Sequence, residues 1–302
     1  MKKVTIFLFC VAISLSAVSQ TPLWQGKGRI TISSDGNEHD HDDWAATPLS
    51  LSLIAAKGLQ NKMVLYTYSD HVWGSNLEMP TGKGGLTAYE QMRESALTGA
   101  KMFGFKKSNF ICAVDDAEKA YHAMAKVINE SSDDNPLFII AAGPMQVVGE
   151  GIRRSELAKR KFVTVISHSN WNDTHAANSY AWEPEHKGWT FKMMKEVFGV
   201  EKGGAVQFVK IANQNGGKDY LGLNCSREHF NWIKTSSARE NKIYKKGAWD
   251  WLYSRQETCI KKGGKNFDPS DAGMLIYLFT GIEKTNPEMA KEIMENPVPK
   301  LR

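Results

Sequence analysis

Ser34-Asp35-Gly36-Asn37-Glu38-His39-Asp40-His41-Asp42-Asp43-Trp44 packs five carboxylates and two imidazoles into the nine residues from Asp35 to Asp43. The apolar, β-branched run Arg29-Ile30-Thr31-Ile32-Ser33 leads in, and a helical pattern from Trp44 to Ala56 leads out. The order is strand, acidic loop, helix. Carboxylates crowded in this way repel one another, and taking them out of water is costly without a cation or protons to compensate. Hard oxygen donors favour Ca²⁺ or Mg²⁺. The alternative is a solvated acidic turn in which Asp42 and Asp43 cap the next helix and complement its positive end.

Outward from this loop, short apolar strand candidates alternate with helical patterns, which predicts an α/β fold with a mostly parallel open sheet and helices on both faces. The strands are expected at Arg29–Ser33, Met63–Tyr68, Asn109–Val114, Leu137–Ala141, Phe162–Ser167 and Val206–Ile211. Helices are expected at Trp44–Ala56, Tyr89–Phe103, Asp116–Ile128, Met145–Lys159, Phe191–Phe198 and Ala272–Thr280. Pro48 belongs in or near the first turn of its helix, or else kinks it. Active sites of open parallel sheets lie outside the carboxyl ends of the strands. The polar residues there are Asp35, Asp70-His71, Asp115-Asp116, Gly143, His168 and Asn213.

The chain has 302 residues, 42% hydrophobic and 24% charged, an ordinary globular composition. Met1-Lys2-Lys3, the apolar run from Val4 to Ile13 and small residues up to Ser19 form a secretory signal with cleavage expected near Ser19-Gln20. Residues 20–302 are then a single domain in a secreted or periplasmic protein, and the apolar run is too short to span a membrane. Loss of Lys2 and Lys3 lowers the formal net charge from +5 to +3, and no basic run supports nucleic-acid binding. The mature chain keeps Cys112, Cys225 and Cys259. That is too few for a disulfide framework; one pair, Cys225 with Cys259, or buried free thiols are the alternatives.

Two more places carry signals. Ala142-Gly143-Pro144-Met145 ends the strand Leu137–Ala141 and leaves backbone carbonyls at the rim, or is only a turn. Asn266-Phe267-Asp268-Pro269-Ser270-Asp271-Ala272 opens a strongly apolar helix, where Asp271 is either a helix cap or a ligand.

Together the three places resemble the inosine–uridine-preferring nucleoside hydrolase family and its nucleoside-hydrolase-like relatives. In that family an Asp-x-x-x-Asp-Asp loop follows the first strand and a helix starts at the paired aspartates. Asp42-Asp43 followed by Trp44-Ala45-Ala46 is similar to the pair, Asp35 to the first aspartate, and Asp271-Ala272-Gly273-Met274-Leu275 to the family's late aspartate and buried helix. The resemblance implies one Ca²⁺ held by Asp35, Asp43, the Ala142 carbonyl and Asp271. It also implies a metal-activated water, with Asp35 as general base and Asp42 holding a sugar hydroxyl. The first loop is three residues longer than the family's, so Asp35, Glu38 and Asp40 compete for the first position, and Asp40 is a second candidate base. Ser270 stands where the family has a leaving-group histidine. Ile166-Ser167-His168-Ser169-Asn170-Trp171-Asn172-Asp173 occupies the place of the sugar-binding segment, which makes His168, Asn170, Trp171 and Asn172, with His71 at the next strand end, the substrate-binding candidates.

Glycosidic cleavage develops an oxocarbenium-like cation, which nearby carboxylates stabilise. Trp44, Trp73, Trp171 and Trp182 are placed to stack sugar rings, whereas Trp232, Trp249 and Trp251 read as core. The substrate is a nucleoside, a small sugar or an oligosaccharide, and homo-oligomerisation is left open. A non-catalytic Ca²⁺-dependent carbohydrate-binding protein and a Zn²⁺ hydrolase using His39, His41 and the aspartates are the other classes.

Overall fold

The computed structural model describes residues 21–36, 41–72, 85–105, 109–176, 188–260 and 263–298. In chain order these form β1 (Arg29–Ser34), α1 (Asp43–Ala56), β2 (Met63–Tyr68), α2 (Ala88–Arg93), a π-helical turn (Glu94–Thr98), α3 (Gly99–Phe103), β3 (Asn109–Cys112), α4 (Ala117–Asn129) and β4 (Leu137–Ala142). The chain continues through α5 (Gln146–Arg154), α6 (Leu157–Arg160), β5 (Val163–Ser167), α7 (Trp171–Thr174), α8 (Phe191–Phe198) and β6 (Gln207–Lys210). It ends with β7 (Cys225–Ser226), α9 (Trp232–Thr235), α10 (Ala248–Thr258), β8 (Asn266–Phe267), α11 (Gly273–Thr280) and α12 (Pro287–Glu295). The fold is α/β, built on an open six-stranded sheet in the order β3-β2-β1-β4-β5-β6, every pairing parallel. A separate antiparallel pair joins β7 to β8. Among the described residues no helix is long and apolar enough to cross a membrane.

Side chains alternate across each strand between two apolar cores. Ile30, Ile32, Tyr66, Phe138, Ile140 and Ile166 face the core that receives α1, α10, α11 and α12. Leu65, Leu137, Ile139, Val163 and Val165 face the core built with α4, α5 and α8. The six strands predicted from sequence are all present, with ends shifted by two residues at most.

Helix α1 is buried along all fourteen residues, so it has no solvent face to pattern. Pro48 lies inside it, beyond the first turn. A proline there removes the N–H that would bond the carbonyl of residue 44, and its ring crowds that carbonyl. The Trp44 carbonyl accepts instead from Ser95 Oγ at 2.6 Å, and the Ala45 carbonyl accepts from Gln256 Nε2 at 2.8 Å. Ser95 lies in the π-helical turn, which interrupts the single helix expected over Tyr89–Phe103. Thr87 and Glu90 form a capping box at the start of α2. The helix expected over Met145–Lys159 is likewise two, because Ser155 turns to an extended conformation after α5. Ser95→Ala is expected to cost about 1–3 kcal/mol, since it strands the buried Trp44 carbonyl. Urea denaturation checks this, and unchanged stability would refute the role given to Ser95.

Cys112, Cys225 and Cys259 are buried thiols outside any disulfide, so the Cys225–Cys259 disulfide allowed by the sequence is not formed. The Cys259 thiol accepts from the Asp268 N–H at 3.1 Å and donates to the Gln256 carbonyl at 3.0 Å, which gives it a hydrogen-bonded place in the core. Burial pushes the Cys225 thiol up to about 12. Trp232 and Trp249 are core residues packed edge to face, and Trp251 packs half-buried against the same core with its ring on Phe103, as expected.

Candidate functional site

The chain leaves β1 in one direction to build β2 and β3, then returns on the other side of β1 to build β4, β5 and β6. The crevice at such a reversal, outside the carboxyl ends of the two central strands, is where open α/β sheets place their ligands. Ser34 pairs with Ala142 as the last register pair of β1 and β4, and Asp35 and Gly143 follow directly. The Asp35 N–H donates to the Ala142 carbonyl at 3.1 Å, and the Asp35 carbonyl accepts from the Ser69 N–H at 2.9 Å. Gly143 has a positive φ of 105°, and a Cβ there would lie 2.7 Å from the Asp35 Cβ. Only glycine lets Asp35 occupy this place. The Asp35 side chain is fully buried.

Gly36 (φ 94°) turns the chain away, because a Cβ at that position would meet Met92 of α2 at 2.4 Å. Its carbonyl accepts from Trp44 Nε1 at 2.8 Å, tying the loop back to α1. Trp44 is fully buried, with His41 stacked on it at 4.3 Å, so the expectation that it stacks a sugar is corrected: its ring is core. Asp43 opens α1 and is 1% exposed, while Asp42 precedes it, half-buried, without a side-chain capping bond. Asp42 already has helical backbone angles, so its carboxylate is not placed to cap as the acidic-turn alternative requires. The Tyr66 hydroxyl sits between Ser34 Oγ (3.2 Å) and Thr47 Oγ1 (2.7 Å), joining β1, β2 and α1. Burial raises its pKa strongly, and the nearby charges of Asp43 and Asp70 raise it further.

Asp70 and His71, after β2, are both buried. Asp70 accepts from Ser33 Oγ and from Thr67 Oγ1 at 3.0 Å, and burial raises its pKa from 3.8 to about 7. On the far side of β4, His168 follows β5 and is 2% exposed. Its Nδ1 accepts from the Gln214 N–H at 3.2 Å, which leaves the proton on Nε2 to be donated to Asp271 Oδ1 at 2.6 Å. Asp271 belongs to a short 3₁₀ turn before α11, and no side chain caps that helix. The capping alternative for Asp271 is therefore corrected: its carboxylate is held by His168.

Asn172 is buried, donating to Ser167 Oγ at 3.1 Å and the His168 carbonyl at 3.0 Å, so it supports His168 from behind. Asn170 is exposed, and Trp171 is half-buried against His175 with ring centroids 4.5 Å apart. Asp40, Glu38, His39, Trp73 and Trp182 lie outside the described residues. Asp115 is exposed and accepts from the Tyr89 hydroxyl, and Asp116 caps α4. Gln214 is the residue that sequence reasoning missed. It is fully buried, bonds His168, the Glu283 carbonyl and Thr285, and abuts Gly273 of α11. The reading after the sixth strand stopped one position short, at the exposed Asn213.

Among the described residues no three acidic, imidazole or thiol side chains converge closely enough to hold a metal ion, so Asp35, Asp43 and Asp271 form no ready-made cage. The buried carboxylates of Asp35 and Asp43 are nevertheless oxygen donors of the kind that suits a hard divalent cation.

Fold and site define an open parallel α/β protein with the buried Asp35 at the β1/β4 switch point. The chain is similar to a protein of Formosa agariphila (strain DSM 15362), described as "Uncharacterized protein P22", at 29% identity over 272 residues covering 88% of each chain. No family model matches the chain.

Proposed function

We propose that the protein is a secreted or periplasmic, Ca²⁺-dependent hydrolase of glycosidic bonds, a divergent relative of the nucleoside hydrolases, acting on an N-ribosyl or O-glycosyl substrate. The observation that carries this reading is the position of Asp35, buried at the switch point with its N–H on the Ala142 carbonyl. Asp35, the Ala142 carbonyl and Asp43 are the residues that would hold the cation, with Asp271 contributing through Oδ2 or through solvent because Oδ1 is committed to His168. A bound divalent cation supplies Lewis acidity and lowers the pKa of water.

The remaining work falls to the chain's own groups. Asp35 accepts the proton of the attacking water, which its burial favours by removing competing solvent. Asp42, less buried than Asp43, accepts a hydrogen bond from a sugar hydroxyl. The carboxylates stabilise the positive charge that develops at the anomeric carbon. His168 has both ring nitrogens engaged, with Gln214 and Asp271, so it orients Asp271 rather than shuttling protons. Asn170 and Trp171, at the rim, are the residues of this segment open to a substrate.

Calcium titration of protein stripped with chelator is expected to change tryptophan fluorescence saturably, because Trp44 adjoins Asp43 and bonds the Gly36 carbonyl. Release of base or aglycone from inosine, uridine or nitrophenyl glycosides is expected to require the restored metal. Metal-free purified protein with a flat titration and no turnover would overturn the reading. Calcium-dependent sugar binding without product would replace it with a carbohydrate-binding protein.

A further inference from the structure

Gln214 follows β6 and is fully buried, and each of its polar groups is engaged. Its N–H donates to His168 Nδ1 at 3.2 Å, and its carbonyl accepts from the Leu223 N–H at 2.8 Å. The side-chain Nε2 donates to the Ala212 carbonyl and, at 2.8 Å, to the Glu283 carbonyl, while Oε1 accepts from the Thr285 hydroxyl. Carbonyl oxygens only accept, so these partners admit one orientation of the amide. Thr285 is itself fully buried.

Gly273, at the start of α11, shows how closely this amide is built in. Its φ of −60° and ψ of −29° are ordinary helical angles, so its backbone does not call for glycine. A Cβ there would lie 2.2 Å from Gln214 Oε1, so the amide fills the space a side chain would need. Gly273 is two residues from Asp271. Gln214 therefore meets the His168–Asp271 pair from both sides, at the imidazole and at the turn that carries the carboxylate. A ring nitrogen that accepts from a backbone N–H carries no proton, so the ring proton sits on Nε2 and is donated to Asp271 Oδ1 at 2.6 Å. A hydroxyl in that place could reverse its role, whereas a backbone N–H only donates. The choice of tautomer is then as firm as the placement of residue 214, which its side chain holds.

We propose that Gln214 is a positioning residue of the candidate site: it holds His168 in the Nε2-protonated tautomer and fixes the His168–Asp271 pair as one unit. The consequence for calcium rests on the hydrolase reading; the consequence for the imidazole does not.

Ring-nitrogen NMR of the histidine-labelled mature protein in chelator, at a single pH, tests it, with His168 assigned by its absence from His168→Gln. Wild type is expected to show an unprotonated Nδ1 and a protonated Nε2. Gln214→Met keeps the length but removes the amide, and is expected to mix the two tautomers. Should that variant fail to fold, Thr285 decides, since it touches neither member of the pair directly. Thr285→Val removes the donor to Oε1 and is expected to mix the tautomers, whereas Thr285→Ser keeps the hydroxyl and the wild-type resonances. Calcium affinity of Thr285→Val is expected to fall about tenfold, the lower end of what losing the support of a metal ligand costs. A wild-type ring with mixed tautomers or protonated on both nitrogens, wild-type resonances in Thr285→Val, or mixing in Thr285→Ser would overturn the proposal. If wild type binds no calcium, the hydrolase reading fails, and the ring resonances still judge Gln214.

Discussion

If the protein is the calcium-dependent glycoside hydrolase proposed above, Asp35→Asn is expected to lower calcium affinity about a hundredfold and glycoside turnover by about three orders of magnitude or more, because on that proposal it removes both a charged ligand and the general base. The fold is expected to survive. Asp35 is held through its backbone, N–H to the Ala142 carbonyl and carbonyl to the Ser69 N–H, and those bonds do not depend on the side chain's charge. Asparagine also keeps the volume that fits against Gly143. Calorimetric calcium titration and an aryl-glycoside assay read the two effects separately. If affinity falls while residual turnover at saturating calcium stays near wild type, Asp35 is a ligand without being the base, and the proton falls to Asp40. If neither changes, the site is elsewhere.

The sheet was legible because its strands are short apolar runs buried on both faces, and each run ends at a polar residue on the carboxyl edge. Asp35, Asp70, Gly143 and His168 were found by that rule alone. What escaped the sequence was settled at long range. The helix α10 carries Arg255 and Gln256 on its buried side, so its pattern is not amphipathic in the ordinary sense. Those polar groups are paid for by Gln91, Ser95 and the Ala45 carbonyl, which lie about 160 to 210 positions away in the chain. Trp44 read as a rim aromatic because it borders a polar loop, yet a helix buried on every side leaves its aromatic in the core. The partnership of His168 with Asp271 links residues 103 positions apart, and nothing local in either segment announces it.

Asp70→Asn is expected to change how stability depends on pH. Asp70 is fully buried, its Oδ2 accepts from Ser33 and Thr67, and its Oδ1 has no hydrogen-bond partner among the described residues. Burial raises its pKa from 3.8 to about 7, while the two hydroxyl donors pull it partly back. The native state then keeps a proton that the unfolded chain gives up near pH 4, so the native protein binds more protons between those values. Stability from this group is fully present below about pH 4, falls as pH rises toward 7, and is level above that. A shift of this size corresponds to at most about 4 kcal/mol. Asparagine is neutral throughout, so in chelator the variant is expected to match wild type at pH 4 and to exceed it at pH 8 by about 2–4 kcal/mol. Urea denaturation at pH 4, 6 and 8 reads the difference, and parallel curves for the two proteins would refute it. Repeating the series in calcium adds a second discrimination. A cation held by Asp35 and Asp43 would favour the ionised form of Asp70, because both Asp70 and Asp43 act on the same Tyr66 hydroxyl. The wild-type slope between pH 4 and 7 is then expected to flatten when calcium binds, while the Asp70→Asn curve only shifts upward.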